Sequence, residues 1–234
     1  MESTIELHQM LVDRIKDVKL ESSLKVTGLL DGLSKTKLLP FRKALEISKT
    51  SSSLIDTAMS YAESHITPLA SIDQVAALHL YTMGGSFYGT LNKCLRDAKP
   101  GPALEKFFPF LRLFLNAMDT VRCSATSSSK GGGVVTKQSL WRGVDVDLSK
   151  DYKKGTTITW WGVSSCTTNQ SVALGFMHGK GTLFQIVAQT GVSVKPFSAF
   201  QGEDEVVLPP GTSLKVVSAI KKGAIYTINL ETVE

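Results

Sequence analysis

"CSATSSSKGGG", residues 123–133, divides the chain by composition. It offers no side chain able to pack and reads as a loop or linker. On its two sides the apolar residues follow different periods. Upstream, Ile5, Met10, Leu11, Ile15 and Val18 fall close to one helical stripe. "SSSLIDTAMSYAES" (51–64) predicts a second helix, with serines available as its N-cap. "SIDQ" (71–74) is a capping box, Ser71 with Gln74 three residues on, opening the apolar run "VAALHLYTM". "FYGTLNKCLRD" (87–97) predicts another helix, and so does "PALEKFFPFLRLFLNAMDTV" (102–121), with Pro102 near its start. Pro109 is expected to kink or divide that last helix. Downstream, β-branched and aromatic residues dominate. They predict strands near 137–144, 156–165, 181–189, 204–209, 213–221 and 224–233, interrupted by one helix at about 169–178. Helices first, then a mostly antiparallel sheet, is an α+β order.

The composition narrows the function classes. A chain of 234 residues, 42% hydrophobic, can bury a real core. No run of about 18 apolar residues is present, so no membrane-spanning helix is expected. The start, "MESTIELHQMLVDRIKDVKL", is acidic and amphipathic, without the basic and apolar regions of a secretory signal. A cytoplasmic protein is the default expectation; a toxin or effector injected without a signal would look the same. Cys94, Cys123 and Cys166 are an odd number without CxxC spacing, and the four histidines show no HxxxH pair. That argues against a disulfide framework and a zinc site, so no metal is expected. The net charge is +5, and residues 91–160 carry twelve Lys/Arg against six Asp/Glu. This segment reads either as a solvated surface or as an anion site.

Three short stretches carry chemistry. In "SLWRGVDVD" (139–147), Arg142 sits in a strand-like run and is followed by Gly143. A guanidinium at a cleft offers a planar fork for phosphate oxygens, and a glycine lets a ligand approach the backbone. A surface ion pair is the plainer alternative. In "TITWWGVSSCTTN" (157–169), a strand with two tryptophans runs into a cluster of hydroxyls. Thr167, Thr168 or Asn169 would serve as a helix N-cap; the hydroxyls could equally fix a carboxylate and a ribose. In "FQGEDEVVLPPG" (200–211), three acids precede an apolar strand. If the chain is extended, Glu203 and Glu205 point to one side about 6–7 Å apart, and Asp204 points away. Paired carboxylates suit chemistry at a sugar C1, where positive charge develops in the transition state. An exposed acidic turn is the alternative.

Taken in order, arginine, a serine-rich strand end and Glu-x-Glu entering a strand resemble the R-S-E pattern of the arginine-specific mono-ADP-ribosyltransferases. The resemblance covers roughly residues 70–234; residues 1–69 read as a helical N-terminal extension. It implies a sandwich-like NAD-binding core and no metal. It also implies roles: Arg142 on the NAD phosphates, the Gly143 backbone on the nicotinamide amide, and Ser165 hydrogen-bonded to the catalytic glutamate. Thr167 would complete the hydroxyl element on the NAD side. Glu205 would take the ribose 2′-hydroxyl and favour an oxocarbenium-like state. Glu203 would orient or deprotonate an incoming guanidinium, and Phe200 would help to dock the target protein. The family's Ser-Thr-Ser element reads Ser165-Cys166-Thr167 here, or Ser164-Ser165-Cys166 if the register slips by one.

The expected reaction is therefore transfer of ADP-ribose from NAD to arginine on a target protein, or NAD hydrolysis at the same site. A non-catalytic basic binding module is the remaining reading. The basic segment lacks the interleaved aromatics of a single-strand binder, so no nucleic acid is expected as partner.

Overall fold

The structure is a computed structural model describing Val18 and residues 31–97, 101–127 and 137–233. The helix expected over the first twenty residues lies outside the described residues except for Val18. The described residues form two compact units. One holds the strands together with Val18. The other holds the helices of residues 31–127 together with Pro196–Phe200.

The helical unit contains α1 (Asp31–Ser34), α2 (Phe41–Leu45), α3 (Ser52–Ser64), α4 (Ile72–Thr82), α5 (Gly85–Arg96), α6 (Pro102–Glu105) and α7 (Phe108–Ser127). Its centre is α4, where every residue from Val75 to Thr82 is buried. The capping box forms in full: the Ser71 N–H donates to Gln74 Oε1 at 2.8 Å, and the Gln74 N–H to Ser71 Oγ at 3.3 Å. Asp73, in the first turn of α4, accepts the Phe41 N–H at 2.8 Å and so caps the start of α2. Pro109 lies in the first turn of α7, where its missing N–H costs nothing, so the proline run is divided into α6 and α7. Ser51 stands at the N-cap of α3 but makes no side-chain cap bond. The expected boundary at residue 69 falls in the turn between α3 and α4, which pack on each other within one unit. The expected linker at 123 also begins too early. Cys123–Ser127 continue α7, and Ser124 Oγ donates back to the Thr120 carbonyl at 2.9 Å. No helix among the described residues is long and apolar enough to cross a membrane.

The sheet unit contains β1 (Gln138–Val144), β2 (Thr157–Trp160), β3 (Ser164–Thr167), α8 (Gln170–Gly175), β4 (Gly181–Ala188), β5 (Val192–Ser193), β6 (Glu205–Leu208), β7 (Thr212–Lys222) and β8 (Ile225–Thr232). Eight strands form one ladder in the order β2-β7-β8-β4-β1-β3-β6-β5, antiparallel except for β4 with β8. The β1–β3 junction is a single register pair, Trp141 with Thr167. Side chains from both sides of that junction share one core, including Leu140, Phe184 and Ile228 on one side and Cys166, Val206 and Leu208 on the other.

Two features depart from the sequence expectations. The strand predicted over 156–165 is two strands with different partners: β2 pairs with β7, and β3 with β6. Trp161-Gly162-Val163 breaks it, a change of partner that uniform β propensity cannot signal. Val18, from the supposed extension, is fully buried in the sheet core. The Tyr152 hydroxyl donates to its carbonyl at 2.5 Å and accepts from Trp160 Nε1 at 2.8 Å. Burial pushes the Tyr152 phenol above its ordinary value, against the lowering effect of the Trp160 bond, and keeps it a donor.

Candidate active site

Three adjacent strands place the chemistry. Trp141 on β1 pairs with Thr167 on β3, and Thr167 pairs with Glu205 on β6. Residues opposite one another in an antiparallel ladder share a face, and neighbours along a strand alternate. Trp141, Gly143, Ser165, Thr167 and Glu205 therefore occupy one face. Leu140, Arg142, Cys166, Val206 and Leu208 occupy the other, which is the core face. Ser165 lies opposite Val207, two residues from Glu205. That diagonal is about 7–8 Å between backbones, within reach of a glutamate side chain.

The ladder separates the hydroxyl cluster into two faces. Ser164 and Cys166 point to the core, exposed by 0% and 3%. The Ser164 hydroxyl is turned to the Gly162 carbonyl at 3.3 Å. Ser165 and Thr167 are the pair that face Glu205.

The acid cluster is not extended. Gln201–Glu203 form a 3-10 turn, Asp204 takes a left-handed conformation with φ 47°, and β6 begins only at Glu205. The strand alternation that put Glu203 and Glu205 on one side therefore does not operate across this pair. Left-handed backbone costs a non-glycine residue about 1–2 kcal/mol, least for Asp and Asn. Here several bonds hold it. Thr167 Oγ1 donates to the Glu203 carbonyl at 2.6 Å and accepts the Asn169 N–H at 3.0 Å. The Val194 N–H donates to the Glu205 carbonyl at 3.0 Å. Lys195 forms an ion pair with Asp204. Three acids can thus precede a core strand: a lysine neutralises the middle one, and the last opens the strand with its side chain on the non-core face.

Arg142 is completely buried. Its Nη1 donates to the Ser165 carbonyl at 2.5 Å, and the guanidinium carbon lies 6.0 Å from the centre of the Trp160 ring. The resemblance gives this residue the NAD phosphates. Its position on the core face and this bond make it a brace beneath β3, acting on the backbone that carries Ser165.

The sequence and the fold of this chain have counterparts among known proteins. The sequence matches the NAD:arginine ADP-ribosyltransferase family over residues 56–234. The chain belongs to this family. It is 29% identical over 153 residues to the erythroblast NAD(P)(+)--arginine ADP-ribosyltransferase of Gallus gallus, covering 63% of this chain and 47% of that one. The chain thus spans about half the length of that relative, and 18% of a Mycobacterium avium protein to which it is 27% identical over 167 residues. Among solved structures, a mutant of the eukaryotic mono-ADP-ribosyltransferase ART2.2 in complex with NAD superposes with a TM-score of 0.64. The identity is 16%, with 88% of this chain and 89% of that one covered. The ADP-ribosyltransferase Vis, from Vibrio splendidus, in complex with agmatine gives a TM-score of 0.56 at 18% identity, covering 87% and 90%. These structures share the fold.

Within this member of the family, Gly143 has a packing reason to be glycine. A Cβ there would lie 2.0 Å from the Ala173 carbonyl oxygen and 3.0 Å from Met177 Cγ. The space is taken by α8 and the turn after it. Asn169 starts that helix as its N-cap, its Oδ1 accepting the Ser171 N–H at 2.9 Å. Phe200 is half-buried, with its N–H on Ser198 Oγ at 3.0 Å, and belongs with the helical unit. The sequence reading missed the clamp from Thr167 to the Glu203 carbonyl. A β-branched hydroxyl residue beside an N-cap was its only local signal.

Proposed function

We propose that the protein transfers ADP-ribose from NAD to an arginine side chain of a target protein, releasing nicotinamide. The observation that carries this is the register that puts Ser165, Thr167 and Glu205 on one face of β3–β6, with Thr167 fixing the Glu203 backbone. Support for the substrates comes from the family match and from relatives crystallised with NAD and with agmatine, a guanidinium compound.

Each residue then has a task. Glu205 presents its carboxylate to the ribose as the bond from C1′ to the pyridinium nitrogen breaks and that electron pair leaves with neutral nicotinamide. No general acid is required, because the leaving group departs uncharged. The carboxylate stabilises positive charge at C1′. Ser165 orients Glu205 across the strand diagonal. A protonated guanidinium is a poor nucleophile, so Glu203 takes one N–H proton as the guanidino nitrogen bonds to C1′. Arg142 is a positioning residue through the Ser165 carbonyl. Gly143 lies where β1 and β3 part after their single pair, and its backbone would meet the nicotinamide amide. Phe200 offers a docking group for the target.

Incubation with labelled NAD and agmatine tests this reading. Wild type is expected to form ADP-ribosyl-agmatine and to release nicotinamide, and a folded Glu205→Ala variant to do neither. Equal transfer by that variant would overturn the assignment. Nicotinamide release that agmatine does not divert would indicate hydrolysis with water as acceptor.

A further inference from the structure

On the core face of the sheet unit, a chain of buried polar contacts ends at Arg142. Val18, Tyr152 and Trp160 are exposed by 0%, 1% and 1%. The Tyr152 hydroxyl is used twice in this interior: it donates to the Val18 carbonyl at 2.5 Å and accepts the Trp160 Nε1–H at 2.8 Å. Phe184 packs on both rings, tilted against Tyr152 with centroids 4.8 Å apart and edge-on to Trp160 at 5.4 Å. A hydrogen bond and a packed ring thus fix the Trp160 indole. The Arg142 guanidinium carbon lies 6.0 Å from the centre of that indole, at the outer reach of a cation–π contact, while Nη1 donates to the Ser165 carbonyl. All of these residues belong to the sheet unit.

Packing alone does not call for these polar groups. A phenylalanine at 152 would fill the same space, and burying a hydroxyl and an indole N–H is costly unless both are bonded. What the bonds add is direction. In the ladder β2 and β3 are far apart, with β7, β8, β4 and β1 between them. In the core they are joined, through Trp160 on β2 and the Arg142 bond to β3. We infer that Tyr152 and Trp160, anchored on the Val18 carbonyl, are positioning residues for the reaction, acting through Arg142 on the β3 backbone that carries Ser165. This rests on the transferase reading above, in which Ser165 orients Glu205. That orientation matters most as charge develops at C1′, so the effect falls on kcat and spares KM. Val18, from the stretch that reads as an extension, thereby serves the site.

The test compares Tyr152→Phe and Trp160→Phe in the full chain, each alone and combined with Ser165→Ala, at a temperature well below every unfolding midpoint. Both substitutions are expected to lower kcat about five- to ten-fold for agmatine transfer and for acceptor-free nicotinamide release, with KM for NAD and agmatine within about two-fold of wild type. Combined with Ser165→Ala they should cost less than about two-fold more, because the group they act through is gone. A merely structural role would lower the midpoint and leave kcat of the folded enzyme at the wild-type value; that result overturns the inference. So would equal losses with and without the Ser165 hydroxyl. Hydrogen exchange gives a reading independent of activity: in Tyr152→Phe, which removes a single oxygen, amides of residues 164–167 should exchange about ten-fold faster while those of β8 keep wild-type rates. Unchanged exchange in β3, or an equal rise in both strands, would sink the relay. A wild type that neither transfers nor hydrolyses would instead sink the transferase reading, whatever the exchange pattern.

Discussion

The two faces of β1, β3 and β6 are made from the same residues in alternation, yet they do different work. One face carries Ser165, Thr167 and Glu205, polar groups placed for chemistry. The other carries Leu140, Cys166, Val206 and Leu208, fully or almost fully buried in the shared core. Arg142 breaks the division: it sits on the core face but binds the Ser165 carbonyl. The contrast teaches that in a two-residue period residues adjacent in sequence, such as Ser165 and Cys166, lie back to back in space, one on each face.

If the division is real, substitutions on the two faces separate activity from stability. Glu205→Gln is expected to lower the transfer rate by about 10²–10³-fold while leaving the thermal midpoint no lower, because it removes charge stabilisation and little packing. Leu208→Ala, on the opposite face of the same strand, should cost about 2–5 kcal/mol in denaturant titration and leave the folded enzyme active. Arg142→Ala should fail on both counts. It is expected to lose about 3 kcal/mol through a cavity and an unsatisfied carbonyl, and to slow transfer as well. Arg142→Lys should not repair it, since an ammonium lacks the planar fork. Stability loss with normal kcat in the arginine variants would make Arg142 an ordinary core residue.

Gly143→Ala probes the packing of the site face. A methyl group 2.0 Å from the Ala173 carbonyl must displace α8, at about 1–3 kcal/mol, and calorimetry should record a lower midpoint. An unchanged midpoint would show that α8 yields freely. The smallest expected effect is on the helical side. Burial, reinforced by His65, holds His79 below its ordinary 6.5, against the raising effect of the Phe197 carbonyl. The folded state therefore binds the proton less readily than the unfolded chain. Its contribution is complete above about pH 6.5 and is lost as pH falls through the lowered value. A shallow decline in stability below that pH is expected, and His79→Asn should flatten it.

Much of this was legible in the chain. The capping box at Ser71, the division at Pro109 and most strands follow from local rules that the structure repeats. The order of Arg142, Ser165 and Glu205 was enough to name the family to which the chain belongs. Three things were not legible. The break at Trp161–Val163 changes strand partners without changing composition. Val18 is one apolar residue among several on a helical stripe, and nothing local says that Tyr152 will bond to it. The turn at Gln201–Glu203 and the left-handed Asp204 are imposed by Thr167, 36 residues earlier, and by Lys195.

By itself, then, the sequence determined which residues are available for chemistry and which secondary structure carries them, because periodicity, caps and prolines act over a few residues. Only the tertiary structure decided which face each residue occupies, that Arg142 braces β3, and that the acid loop is turned and held by Thr167. The Arg142 bond to the Ser165 carbonyl and the Thr167 bond to the Glu203 carbonyl join groups tens of residues apart, and no local pattern encodes a partner at that distance.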